Sequence, residues 1–142
     1  MKKTLWILLA LTVSPSAAAS SSAPDIRLLM ADGLALQRTQ NDLSALERFR
    51  QFLAASPDDR TRVKAALLAA RSENALARPA DALATLANLP STEGMPEITE
   101  LLAFERARSL ALLKDPAAIP ALQQFLTTFG ASPLNAQVSL LL

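Results

Sequence analysis

Any chemistry in this chain has to be done with carboxylates, guanidinium groups and ammonium groups, because its 142 residues include no histidine, no cysteine and no tyrosine. Thiol nucleophiles, Ser-His-Asp triads, zinc sites and imidazole acid–base work each need a group that is missing. Glu97, Glu100 and Glu105 lie close enough along the chain to suggest the paired carboxylates of a glycoside-cleaving site. No aromatic sugar platform accompanies them, since the one tryptophan, Trp6, stands near the N-terminus. Ordinary helical roles account for two of the three. Glu97 follows Pro96 in a first turn, where the helix dipole favours an acid, and Glu105 is spaced to pair with Arg108 one turn on. Arg48, Arg50, Arg60 and Arg62 look like a polyanion-binding patch, but Glu47, Asp58 and Asp59 are interleaved with them and the formal net charge is only +1. A solvated face of ion pairs is therefore expected, with no nucleic acid partner. Three glycines, at 33, 94 and 130, make no phosphate-cradling loop. These residues point to a protein that is not an enzyme and carries no metal or cofactor.

The elements that would position such side chains begin after residue 19. Lys2 and Lys3 precede an apolar run from Thr4 to Val13, followed by Pro15 and Ala17-Ala18-Ala19. A ten-residue run is too short to cross about 30 Å of hydrocarbon as a helix. A cationic start, a short apolar stretch and an A-x-A site match a cleaved secretory signal instead, which places the cut near Ala19 and the protein in the periplasm, with no stable membrane anchor left. Lys2 and Lys3 are two of the 14 basic side chains, so the remainder carries 12 against 13 acidic ones. No disulfide is available to it, and its stability must come from packing.

Residues 20–24 read as a flexible lead-in, and residues 25–142 as one all-α domain. Alanine and leucine dominate the composition there, and valine, the residue a strand would use, occurs only at positions 13, 63 and 138. Helices are expected over Asp25 to Arg38, Asp42 to Ala55, Asp58 to Ala77, Pro79 to Leu89, Pro96 to Leu113, roughly Ala117 to Phe129, and Pro133 to Leu142. Pro79, Pro96 and Pro133 suit first helical positions, where an amide would be unbonded anyway, and Ser132 is a ready N-cap. Pro120 kinks the sixth helix if that helix starts at Pro116, and is harmless if it starts near Ile119. Short connections fold successive helices back on one another as antiparallel hairpins.

The second helix of each hairpin repeats. Ala45-Leu46, Phe49 and Phe52 recur as Ala82-Leu83, Leu86 and Leu89 after 37 residues, and as Ala118-Ile119, Leu122 and Phe125 after 36 more. A small residue followed by large apolar ones at helical spacing gives a close backbone contact beside a continuous stripe, the pattern of a stacked solenoid. With Gly33, Leu36, Ala45, Phe49 and Pro57 the first unit resembles the tetratricopeptide repeat, a helix-turn-helix of about 34 residues, in its two small residues, their large companions and its closing proline. Ala70, Ala82 and Leu86 continue the match in the second unit, where Glu73 replaces a large apolar residue; Ala107, Leu110, Ala118 and Leu122 continue it in the third. The absent tyrosines and the longer period mark a divergent member.

The resemblance implies a short right-handed solenoid whose concave wall is made by the first helix of each hairpin. Residue by residue, that wall presents Arg27 and Arg38 in the first unit, Lys64, Arg71 and Asn74 in the second, and Phe104 and Arg108 in the third. It carries five cations and no carboxylate, with Leu34 and Leu67 between them. Such a groove suits an extended protein or peptide partner bearing acidic groups or a free carboxylate, because guanidinium forks hold carboxylates bidentately. The reading is an exported interaction module or adaptor in the bacterial envelope. The alternatives are a noncatalytic helical region of a larger envelope enzyme or assembly factor, and a carrier of a small apolar ligand. The last helix, PLNAQVSLLL, serves as a cap on the third hairpin, or self-associates through its apolar side, or continues into a longer array.

Overall fold

A computed structural model describes residues 25–55 and 58–142. The signal reading of residues 1–19, the lead-in and the closing proline Pro57 lie outside the described residues. Among those described there are seven helices and no strand: α1 (Ile26–Arg38), α2 (Asp42–Ala55), α3 (Asp59–Ala75), α4 (Pro79–Thr85), α5 (Pro96–Leu112), α6 (Ala118–Thr128) and α7 (Asn135–Leu141). None of them is long and apolar enough to cross a membrane.

Each helix packs on the next. In addition α1 touches α3, α3 touches α5 and α5 touches α7, whereas α2, α4 and α6 do not touch one another. The odd-numbered helices thus form one continuous layer and the even-numbered ones a fanned outer layer, as in a helical repeat array. Alternation of direction puts the α1–α2, α3–α4 and α5–α6 turns at one end of the array and the remaining connections at the other.

The repeated positions make the core. Ala45, Leu46, Phe49 and Phe52, then Ala82 and Leu86, then Ala118, Leu122 and Phe125 are all buried. The large residue after each small one does not repeat its environment: Leu46 is buried, Leu83 half-buried and Ile119 exposed. Gly33 shows why the small positions are small. A methyl group there would come within 2.5 Å of the Phe49 ring, so only hydrogen lets α1 and α2 approach this closely. Along α3, Ala65, Ala66, Ala69 and Ala70 are buried, which lets neighbours close in on the middle helix from several sides. The third hairpin is tied by aromatic rings: Phe104 and Phe125 meet edge to face at 6.1 Å between centroids, and Phe125 and Phe129 at 4.9 Å.

Most helix starts follow their caps. Asp25 and Asp58 accept backbone N–H groups at the starts of α1 and α3, and Pro79 and Pro96 open α4 and α5. Pro120 falls in the first turn of α6, which starts at Ala118, so no helical hydrogen bond is lost. Three boundaries differ from expectation by two residues or more. α3 ends at Ala75 rather than Ala77, because Ala77 itself takes a left-handed backbone (φ 57°). α4 ends at Thr85 rather than Leu89, because Asn88 takes a left-handed backbone (φ 53°) just before Pro90. α7 begins at Asn135 rather than Pro133, because Ser132 Oγ accepts the Leu134 N–H in a preceding turn and the Asn135 carboxamide donates to the carbonyls of Phe129 and Gly130.

Candidate functional site

The layer of odd-numbered helices encloses a cleft of about 670 Å³. α1 contributes Leu34, Gln37 and Arg38, the start of α2 contributes Asp42, α3 contributes Leu68, Arg71 and Ala75, and α5 contributes Phe104 and Arg108. Gln137, Leu140 and Leu141 of α7 close the far side. Since α1 and α7 make no contact with each other, the array curves enough for its first and last helices to face across one opening.

Four of the seven expected groove residues meet here: Arg38, Arg71, Phe104 and Arg108. Arg27 and Lys64 are exposed but line no part of the cleft. They sit 11 and 7 residues before Arg38 and Arg71 on the same helices, and at about 1.5 Å of rise per residue that places them some two to three turns toward the other end. Asn74 corrects the expectation of a groove donor. It is 4% exposed, its Nδ2 donates to Glu105 Oε2 at 3.0 Å, and its Oδ1 accepts from Ser109 Oγ at 3.0 Å. Its carboxamide lies behind the wall, between α3 and α5.

The cleft's charge is set by which cations are already engaged. Arg108 stands 3.5 Å from Glu105 Oε2, the expected one-turn pair. Neither Arg38 nor Arg71 forms an ion pair among the described residues. One carboxylate, Asp42, joins the lining, contrary to the expectation of a wall without acids. It accepts the Ser72 hydroxyl at 3.2 Å and occupies the first turn of α2, where the helix dipole offsets its charge. Gln37 Nε2 donates to the Ser72 hydroxyl at 2.9 Å and to the Leu68 carbonyl at 3.2 Å, so it holds the seam below Asp42 closed. With Arg108 paired to Glu105, the two unpaired guanidinium groups of Arg38 and Arg71 against the one bonded carboxylate of Asp42 leave the cleft positive above an apolar floor of Leu34, Leu68 and Phe104.

Sequence reasoning missed Asp42, which follows the α1–α2 turn and so belongs to no first helix, and it missed the α7 wall, whose signal was the apolar run SLLL. It also misjudged the partner of Arg50. That side chain is 54% exposed, as on a solvated face, but its partner is none of the interleaved acids: Arg50 reaches 2.9 Å to Glu73 Oε1, whose carboxylate is 1% exposed and also accepts the Thr85 hydroxyl at 2.8 Å. Glu73, at a position where an apolar residue was expected, is held by a cation from α2 and a hydroxyl from α4.

Among known families, residues 107–128 match the PBS lyase HEAT-like repeat. That segment is the second half of α5, the following turn and α6. No curated protein and no solved structure matches the chain. Hairpins that stack each on the next, with one of them matching a known helical repeat, show that the chain is a helical repeat protein.

Proposed function

We propose that this protein is an exported, tetratricopeptide-like interaction module and that its cleft binds an extended peptide segment of a partner protein carrying acidic groups. The observation that carries the reading is the pair Arg38 and Arg71. Both face the cleft, neither is neutralised by an acid among the described residues, and both stand beside apolar side chains that could seat a partner's aliphatic groups. Guanidinium groups left without a carboxylate next to a concave apolar surface suit an anionic ligand with apolar neighbours. The tetratricopeptide-like spacing through Gly33, Ala45 and Phe49 supports an interaction role, and the signal-like N-terminus supports the envelope as its place of action. No catalytic role and no cofactor form part of this proposal.

A labelled peptide alternating glutamate and leucine serves as the probe, with its lysine counterpart as control. Binding followed by fluorescence anisotropy should favour the acidic peptide and weaken with salt. The double variant Arg38→Glu with Arg71→Glu should lose about tenfold or more in affinity, since one charge-assisted hydrogen bond of about 1.5 kcal/mol already accounts for that factor. Its thermal midpoint should stay within a few degrees of the parent's, because both side chains are exposed. Equal binding of the two peptides, or unchanged affinity in the variant, would sink the reading.

A further inference from the structure

The two sides of the cleft differ in kind. Its unpaired cations come from α1 and α3, as Arg38 and Arg71, while α7 offers Gln137, Leu140 and Leu141 and no charge. Phe104 lies on α5, the helix that packs on both α3 and α7. Leu140 is 87% exposed, so the described residues leave this lining side chain for a ligand to cover. An extended peptide turns successive side chains to opposite sides. An acidic residue held at Arg38 and Arg71 therefore sends its neighbours toward α7, where the chemistry is aliphatic.

Glu100, the one of the three clustered glutamates without a local helical role, holds that wall in place. Its carboxylate forms no ion pair among the described residues and accepts the Ser132 hydroxyl from the α6–α7 connection. The same Ser132 oxygen accepts the Leu134 N–H at 3.0 Å, just before α7 begins. Among the described residues, the Glu100–Ser132 bond is the only hydrogen bond that joins this connection or α7 to α5. Asn135 ties α7 only to its own connection, through the carbonyls of Phe129 and Gly130. Val138 is fully buried in the cluster of Phe104, Leu122 and Phe125, and Leu141 packs against it. Apolar contacts of this kind are nondirectional, whereas a charge-assisted hydrogen bond fixes direction as well as distance. Leu140 stands about 9 Å along the helix from Leu134, so a small turn at the Ser132 anchor becomes a larger displacement at Leu140.

On the reading that the cleft is a peptide site, we infer that α7 is its selective wall, taking large aliphatic side chains of the bound segment, and that Glu100 is the positioning residue that holds this wall through Ser132. Labelled peptides that alternate glutamate or lysine with leucine or alanine test the two readings separately. The parent should bind the glutamate–leucine peptide about tenfold tighter than the glutamate–alanine one. Leu140→Ala, at an exposed position that folding does not need, should shrink this ratio severalfold while the preference for glutamate over lysine stays. Glu100→Ala should shrink it as well, and Glu100→Gln, whose carbonyl oxygen still accepts the Ser132 hydroxyl, should restore it. A glutamate that merely stabilises the fold would lower affinity for the leucine and alanine peptides by one common factor. Equal binding of the two glutamate peptides by the parent, an undiminished leucine preference in Leu140→Ala, a common-factor loss in Glu100→Ala, or a Glu100→Gln variant no better than Glu100→Ala overturns the inference. A leucine preference that holds while glutamate and lysine peptides bind alike overturns the acidic-peptide reading alone.

Discussion

The two seams that join the three hairpins each bury a glutamate, and they handle its charge in different ways. At the seam between the first and second hairpins, Glu73 receives Arg50 from α2 and Thr85 from α4. The Arg50 side chain is 54% exposed, on the face away from the cleft lining, so this carboxylate is linked to solvent through its own cation. At the seam between the second and third hairpins, Glu105 receives the buried carboxamide of Asn74 and stands beside Arg108, a residue of the cleft. The first seam is a structural joint only. In the second, the same guanidinium faces both a buried acid and the binding surface, so changes behind the wall reach the cleft through Arg108.

The difference can be broken or sharpened by substitution. The largest effect is expected for Asn74→Leu, which removes a donor from buried Glu105 and an acceptor from Ser109 and should cost about 3 kcal/mol in denaturant unfolding. Where the variant is still folded, Arg108 is left as the main partner of Glu105 and the acidic peptide should bind more weakly in anisotropy titrations. Next comes Arg50→Ala, which leaves Glu73 with the Thr85 hydroxyl and access to water along the vacated path. Its cost should be about 1 to 2 kcal/mol, and peptide affinity should be unchanged. If Arg50→Ala weakens the peptide as much as Asn74→Leu does, the two seams are not different in the way described.

The smallest effect belongs to Asp58, which caps α3, the helix common to both seams. The Thr61 hydroxyl and then the Thr61 N–H donate to its carboxylate and hold its pKa below the ordinary value. A folded-state pKa lowered in this way contributes stability above the unfolded value and loses it as pH falls through the folded one. Asp58→Asn should therefore flatten the acid limb of a stability–pH curve slightly and leave peptide binding at neutral pH unchanged, which makes it a control for damage to α3 that favours neither seam.

How much of this was legible in the sequence follows from the range of the forces involved. Helix starts at Pro79 and Pro96 and the buried Ala45, Phe49, Leu86 and Leu122 depend on local propensity and period, and these can be read along a single helix. Arg38 and Arg71 are placed in the concave layer by the register that the tetratricopeptide resemblance implies for the first helices, a register that also puts Arg27 and Lys64 there although neither lines the cleft. That register does not settle Glu73 and Asn74. Their partners Arg50 and Glu105 lie 23 and 31 residues away, and a small rotation of α3 decides whether Asn74 faces the cleft or the next helix. The α7 wall was out of reach for a similar reason, since its place opposite α1 depends on the accumulated turn of the whole array.

The contact between Gly33 and the Phe49 ring also constrains how this sequence can drift. Any side chain at position 33 collides with the ring as long as position 49 is phenylalanine. A smaller residue at 49 relieves the collision but leaves an unfilled space beneath α1. The two positions therefore form a coupled pair, in which a side chain at 33 forces the ring at 49 to shift, and their effects on stability should not add. Descendants of this chain should keep the glycine for as long as they keep the ring.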